Sequence, residues 1–238
     1  MAETAPVVLE LSDVHAWYGE SHVLHGMALQ VRRGEVVTLL GRNGSGRSTT
    51  LKAILGMVSR RSGSIRVEGV ETIGLPAHRI ARLGLGYCPE ERGIYSSLSV
   101  EENLLLPPEI AAGGMTLEEI YRMFPNLHER RATAHGTQLS GGEQQMLAMA
   151  RILRTGARTI TGARPSVISS SSRTRALGQV IHTLKARGFT IVLVEQNFRF
   201  AAPLADRHYV IEHGRVAQTL AGAEVNAKAD VIHAYLGV

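Results

Sequence analysis

The sequence predicts an α/β fold built around a mainly parallel sheet, and three features of the chain carry that prediction. Two apolar runs, residues 35–40 and 189–197, have the composition of strands that are covered on both faces. A glycine-rich turn follows the first run, and a helical pattern follows the turn. Between the two runs, about residues 97–155 are helical in pieces, which predicts an inserted helical subdomain.

The elements around the glycine-rich turn follow from their residue patterns. Polar and apolar residues alternate through 7–14 and 27–34, which predicts an antiparallel β part at the N-terminus. After the turn, residues 48–58 space their apolar residues at helical intervals. Residues 62–71 predict a strand or hairpin, and residues 80–91 hold a short helix and another strand.

Two capping boxes predict helix starts inside the helical interval. Ser99 stands three residues before Glu102, and Thr116 stands three residues before Glu119. Residues 142–154 form an amphipathic helical pattern that closes the interval.

The C-terminal part contains a helix, a hairpin and a short final helix. The helix covers residues 176–188 and ends at Gly188. The hairpin covers residues 207–220 with its turn at His213 and Gly214, and the final helix covers 231–237. Because no internal repeat or long linker interrupts the chain, we expect one domain over residues 1–238.

Composition limits the classes of protein to consider. A chain of 238 residues with 44% apolar residues can bury a sizeable core by itself. No stretch approaches the roughly 20 apolar residues of a membrane helix, and the N-terminus lacks a secretory pattern, so we expect a cytosolic chain. The single cysteine, Cys88, cannot form an internal disulfide and is expected to be buried.

The net charge of +5 has a local origin. Residues 144–194 contain no Asp or Glu but eight Lys and Arg residues, which together exceed the net charge of the whole chain. We interpret this stretch as acid-poor rather than as a nucleic-acid surface, and we expect no nucleic-acid partner.

Residues 41–49, GRNGSGRST, match the phosphate-loop pattern GxxxxGK[ST] except at Arg47, where lysine is expected. Glycines let the backbone amides turn inward, and the following helix presents its positive end to phosphate. Arginine keeps the charge but is longer and forked, so it should attract phosphate while fitting poorly between phosphate groups. The residues predicted to bind the nucleotide here are Gly41, Asn43, Gly44, Ser45, Gly46, Arg47, Ser48 and Thr49, with Ser48 also the magnesium ligand.

A second motif, LSGGEQQ at residues 139–145, accompanies the phosphate loop. With it the chain resembles the ATP-binding subunits of ABC transporters over nearly its full length. In that family the signature meets the nucleotide held by a partner subunit. The resemblance assigns this role to Leu139, Ser140, Gly141, Gly142, Glu143 and Gln144.

Three further residues acquire roles from the resemblance. Tyr18 falls where an aromatic ring stacks on adenine. Glu90 falls in the Q-loop, where most members have Gln, and Gln196 falls at the switch position, where most have His; both are candidate catalytic residues. With residues 74–90, these two exchanges resemble the second ATPase subunit of branched-chain amino acid importers. Relatives of this type also serve urea, short amides and other small solutes.

The resemblance also implies cofactors and partners. They are ATP and Mg²⁺, a second ATPase subunit in a heterodimer, two membrane permease subunits and a solute-binding protein. Such a subunit lies on the inner face of the cell membrane.

Residues 159–175 depart from the family pattern of an aliphatic strand followed by Asp and Glu. In the family, Asp holds magnesium and Glu orients the attacking water. Here both acids and the aliphatic strand are absent from the sequence, and Gly162, Pro165 and four serines predict local damage to the sheet. Glu195 is a weak substitute candidate. Either the segment is translated out of frame or it has truly diverged, and hydrolysis at this chain's own loop is expected to fall by orders of magnitude.

Overall fold

The structure is a computed structural model that describes residues 5–89, 93–131, 138–162, 171–225 and Tyr235, with backbone alone at 171–174. Its strands are β1 Val7–Tyr18, β2 Ser21–Arg32, β3 Val36–Leu40, β4 Arg60–Val67, β5 Val70–Glu71, β6 Leu85–Tyr87, β7 Thr159–Thr161, β8 Thr190–Glu195, β9 Arg207–Glu212 and β10 Arg215–Ala221. Its helices are α1 Arg47–Ile54, α2 Ala77–Ala81, α3 Val100–Leu105, α4 Leu117–Met123, α5 Pro125–Glu129, α6 Gly141–Arg154, α7 Ser171–Ala186 and α8 Phe198–Ala201.

The strands form two sheets. The first has the order β2-β1-β4-β5 and is antiparallel. The second has the order β10-β9-β3-β8-β7-β6 and is parallel except for the β9–β10 hairpin. This arrangement confirms the predicted α/β fold with a mainly parallel core and an antiparallel N-terminal part.

The N-terminal strands are longer than the sequence predicts. β1 continues to Tyr18, and β2 already begins at Ser21 rather than at residue 27. The turn between them uses Gly19 at a positive φ of 56°. The β1–β2 register shifts next to Trp17, which breaks the alternation of apolar and polar residues. Strand prediction depends on that alternation, so this end of β2 was missed.

The central strands β3 and β8 are buried along their whole length and pair in parallel. The predicted final helix lies outside the described residues, apart from Tyr235. In the described part of the chain no helix is both long and apolar enough to cross a membrane.

A buried histidine lies in the same sheet. His208 on β9 is opposite Thr38 on β3, and its Nδ1 lies 2.6 Å from the Thr38 hydroxyl oxygen. Within the described residues, His208 Nε2 is buried without a hydrogen-bond partner. Burial lowers the pKa of His208 from 6.5 to about 4, and the nearby Asp206 opposes this shift. The folded protein therefore holds this ring neutral.

This histidine should make folding stability depend on pH. Its pKa is lower in the folded than in the unfolded chain, so the unfolded chain binds the extra proton first and stability falls as pH decreases from 6.5 towards 4. We expect a loss of about 2 kcal/mol at pH 5 relative to pH 8 from this residue. Urea unfolding of the wild type and His208→Phe across this range measures it. Equal pH slopes in the two proteins would contradict the assignment.

The structure corrects the expectation that the strand at 159–175 is missing. Residues 159–161 form β7, which pairs in parallel with both β6 and β8. Thr and Ile are β-branched and suit a strand, and all three residues are buried. Thr161 also donates its hydroxyl to the carbonyl oxygen of Gly86 at 3.1 Å. The sheet is therefore continuous here, although β7 is short and ends at Thr161.

In the described part of residues 97–155 the structure has four helices, α3 to α6. Both capping boxes predicted there are present, at Ser99 with Glu102 and at Thr116 with Glu119. Phe124 is fully buried in the same apolar cluster as α6 and α7. The helices are thus fixed by both local capping and a shared core.

Candidate functional site

The phosphate loop connects the end of β3 to the start of α1. Gly46 is the residue that caps α1, with a left-handed φ of 107°. A Cβ atom at this position would lie 3.1 Å from Gly214 Cα and 3.1 Å from Leu24 Cδ2. Glycine is therefore required by both backbone conformation and space. The loop thus leads directly into the N-terminus of α1, and the first turn of a helix is a general site for anion binding.

Backbone contacts hold the loop to the β9–β10 turn. The amide of Gly214 donates to the carbonyl oxygen of Ser45 at 2.8 Å. Within the loop, the amide of Ser45 donates to the carbonyl oxygen of Arg42 at 3.1 Å. Among the described residues, the Ser45 hydroxyl is buried and has no hydrogen-bond partner. A buried hydroxyl without a partner fits a loop that binds phosphate oxygens.

Tyr18 and the phosphate loop line a common pocket of about 370 Å³. The Tyr18 side chain is exposed, which leaves its ring accessible to a ligand. Val23, which the sequence did not single out, lines the same pocket. The structure thus places the predicted adenine-stacking residue beside the predicted phosphate loop. The residues lining the pocket are Tyr18, Val23, Arg42, Asn43, Gly44, Ser45, Gly46, Arg47, Ser48 and Thr49.

Arg47 extends towards the carboxyl end of β8. Its guanidinium is buried, and Nη1 donates to the carbonyl oxygen of Glu195 at 2.7 Å. Glu195 pairs with Leu40 in the β3–β8 register, one residue before the loop begins. The longer side chain therefore bonds to the protein main chain, and its guanidinium is not committed to the pocket alone.

Gln196 is brought to the phosphate loop by β8. Its side-chain amide donates to the Asn43 side-chain oxygen, and its backbone amide donates to Glu195 Oε2 at 3.2 Å. The Gln196–Asn43 contact could not be read from the sequence because it joins residues 153 positions apart. Glu195 itself is fully buried. Glu90, the other catalytic candidate, lies outside the described residues.

The signature forms the start of α6. Ser140 caps this helix, and its hydroxyl donates to Glu143 Oε2 at 2.6 Å. Arg130 Nε lies 3.2 Å from Glu143 Oε1, an ion pair that the sequence did not predict. Of the described residues, those lining the phosphate-loop pocket include no member of the signature. One chain therefore presents two separate motifs that do not share a pocket.

Comparison with known proteins defines the family. The model of the ABC transporter family matches residues 24–161, which is more than half of the chain. The high-affinity branched-chain amino acid transport ATP-binding protein BraG of Pseudomonas aeruginosa is 38% identical over 97% of this chain and 100% of its own length. The chain therefore belongs to the ABC transporter family, as an ATP-binding subunit that is close to branched-chain amino acid importer ATPases.

Solved structures agree with this fold. A nucleotide-free ATP-binding cassette from an ABC transporter has a TM-score of 0.83 and 21% identity, covering 98% of this chain and 99% of that one. A dimeric ATP-binding cassette in a post-hydrolysis state, bound to ADP and Pi, has a TM-score of 0.75 and 25% identity, covering 90% and 98%. ABC cassettes thus bind nucleotide, and the second structure is a dimer.

Proposed function

We propose that this chain is the ATP-binding subunit of an ABC importer for branched-chain amino acids or a similar small solute. The similarity to BraG supports this solute class. The observation that carries the proposal is that the chain forms both a phosphate-loop pocket and a capped signature helix, in separate places. In a dimer each motif would complete a nucleotide site with the complementary motif of the partner ATPase.

The nucleotide roles follow the geometry of the pocket. Adenine stacks on Tyr18, and the loop amides with the Ser45 hydroxyl bind phosphate oxygens. Ser48 supplies one oxygen ligand to Mg²⁺, a metal that prefers oxygen donors and commonly keeps phosphate and water ligands. Gln196 would sense the terminal phosphate, a role that its contact with Asn43 in the loop supports.

Hydrolysis is assigned to the partner's phosphate loop rather than to this one. No acid occurs between Gln144 and Val194, the stretch that includes β7 and the segment after it. Glu195 is buried and bonded to the amide of Gln196, which makes it a poor substitute for a carboxylate that orients water. Phosphoryl transfer depends on positioning and charge, so an incomplete site is slow. We therefore propose an asymmetric pair with one working site.

The membrane subunit is proposed to dock at an apolar pocket of about 450 Å³ between the sheet and the helices of 97–155, which we take as the helical subdomain. Exposed apolar patches on a protein surface commonly mark sites of interaction with another protein. A solute-binding protein on the opposite side of the membrane would supply the solute. The apolar residues that line this pocket include Met57, Pro108 and Ile152, and Met57 is also exposed.

The asymmetry is tested with the chain co-expressed with its partner ATPase. Removing the partner's magnesium-holding Asp should abolish ATPase activity, because no second working site remains. Ser140→Ala in this chain should lower the activity of the pair by about 10²-fold, because the signature hydroxyl faces the partner's nucleotide. Ser48→Ala should leave most of the activity, since it alters only this chain's own site. Activity that persists without the partner's Asp would refute the asymmetric scheme.

A second candidate is a nucleotide-binding subunit without any catalytic contribution, or an inactive product of a reading-frame error. Both alternatives are motivated by residues 159–175, which lack the Asp and Glu of the family pattern. Sequencing the gene across codons 158–176 tests the reading-frame error. An aliphatic strand followed by Asp and Glu in another frame would establish that error. Nucleotide binding by the chain, together with full transport after Ser140→Ala, would establish a subunit without catalytic contribution.

A further inference from the structure

A β-bulge in the N-terminal hairpin brings several histidines together. His15 pairs with His25, Ala16 with Leu24 and Trp17 with His22, so the shift leaves Val23 as the extra residue of β2. Such a bulge changes which residues of a strand share a face. It places His22 beside Trp17 and leaves Val23 to line the nucleotide pocket.

The side chains on the histidine face are in direct contact. The Trp17 ring stacks on His22 with centroids 4.4 Å apart and planes at 12°. His15 Nδ1 lies 3.0 Å from His22 Nε2, and the His22 and His25 centroids are 4.0 Å apart. The Arg60 guanidinium lies over Trp17 at 4.7 Å from the ring centroid. These residues, together with Asp13, which lies 3.2 Å from His15 Nε2, are named the histidine cluster.

The histidine cluster is joined to the nucleotide pocket at two points. Trp17 is the neighbour of Tyr18 at the end of β1, so the stack on His22 fixes the base of the turn that carries the Tyr18 ring. On the other side, the amide of His25 donates to the carbonyl oxygen of Gly214 at 3.0 Å, and Gly214 holds Ser45 of the phosphate loop. The side chain of His22 therefore acts on the Tyr18 end of the nucleotide pocket, whereas the phosphate loop is held through backbone bonds of His25 and Gly214.

We propose that His22, through its stack on Trp17, is a positioning residue for the adenine-stacking ring of Tyr18, and that protonation of His22 weakens nucleotide binding. This inference rests on the nucleotide site proposed above. It adds a pH dependence to nucleotide affinity that the loop motifs do not supply.

The contact between His15 and His22 requires one of the two facing nitrogens to lack a proton. Desolvation by its neighbours lowers the pKa of His22, and the nearby His25, His15 and Arg60 lower it further, while a hydrogen bond to the backbone of Leu24 opposes the shift. The folded cluster therefore favours neutral His22. The stability that neutral His22 gives to the cluster is present above pH 6.5, the ordinary pKa of histidine, and is lost as pH falls below 6.5.

The charges around His22 come from three strands. His15 and Asp13 lie on β1, His25 lies on β2 and Arg60 lies on β4. A proton on His22 adds a cation next to Arg60 and two histidines, with Asp13 contacting only His15 among these groups in the described structure. Acidification therefore drives the rings apart and releases Trp17.

Two variants separate stacking from titration. His22→Phe keeps a ring that stacks on Trp17 but cannot be protonated, and His22→Ala removes the stack. His182→Gln changes an exposed histidine of α7 outside the cluster and is the matched control. Binding of Mg-ATP and of inorganic triphosphate is measured at pH 7.5 and pH 5.5 for each protein. Trp17, the single tryptophan of the chain, reports the cluster by fluorescence.

We expect the wild type and His182→Gln to lose about tenfold more affinity for Mg-ATP than His22→Phe does on acidification, because only proteins that keep His22 can gain a proton at this position. His22→Ala should bind Mg-ATP weakly at both values. Inorganic triphosphate should behave alike in all four proteins, and the pH-dependent fluorescence change should vanish in His22→Phe. If the affinity for Mg-ATP changes with pH equally in the wild type and His22→Phe, the role of His22 is overturned while the proposed nucleotide site stands. Failure of every protein to bind either ligand would overturn the nucleotide site and the inference with it.

Discussion

The isolated chain should bind Mg-ATP and leave it intact. Its turnover is expected to be about 10³-fold or more below that of a family member with both acids, because metal holding and water orientation are lost together. The phosphate loop, with its glycine at the start of α1 and the free hydroxyl of Ser45, remains suited to bind phosphate. Calorimetry with ATP and a phosphate-release assay on the same material measure binding and turnover separately.

Arg47→Lys is the informative control for this result. It restores the family residue in the loop and removes the hydrogen bond to the carbonyl oxygen of Glu195. Affinity should change, but turnover should stay at the background rate because the acids are still absent. Turnover of the wild-type chain within tenfold of a complete family member would show that another group, with Glu195 the first to test, performs their work.

Gly214→Ala should be among the most damaging single substitutions in the chain. Gly214 has a φ of 71°, and a Cβ atom there would overlap the carbonyl oxygen of Val23 and press on the His25 ring at 3.0 Å. Backbone strain and a clash with main-chain atoms add up to a loss of about 3 kcal/mol in the free energy of unfolding. Because Gly214 also anchors Ser45, the affinity for Mg-ATP should fall as well.

Gly188→Ala is the matched substitution. Gly188 has a similar φ of 79°, but nothing lies within 4 Å of the added Cβ atom. Strain alone should therefore cost about 1 kcal/mol, without any effect on nucleotide binding. Urea unfolding of both variants gives the comparison. Equal losses would mean that the approach of Val23 to Gly214 is not tight in solution.

The sequence predicted those parts of the fold in which local pattern and tertiary environment agree. The apolar run at β3, the capping boxes and the turn at His213 and Gly214 each depend on a few neighbouring residues. β7 was missed because Thr159 and Thr161 have little apolar surface, and their placement depends on the two strands beside them. The bulge at Val23 was missed because only the paired strand reveals it.

The candidate site divides in the same way. The phosphate loop and the signature are each contiguous in sequence, so a local pattern is enough to name their residues. The contact of Gln196 with Asn43 and the reach of Arg47 to Glu195 join distant segments through the sheet order. The ion pair of Arg130 with Glu143 joins the residue after α5 to the first turn of α6, and although Glu143 belongs to the signature, nothing in the sequence pattern pairs it with Arg130.

Because β7 is short, the larger sheet is weakly paired on both sides of this strand. Three residues pair β7 with each neighbour, whereas β3 and β8 share five paired positions. Strand β6, at the sheet edge, is held through this narrow ladder alone among the described strands. We expect separation of β7 from its neighbours to need less free energy than global unfolding, so amide protons of Gly86 and Ile160 should exchange before those of Leu39 and Leu193. We therefore expect β6 and β7 to separate locally from the rest of the sheet while the phosphate loop keeps its structure.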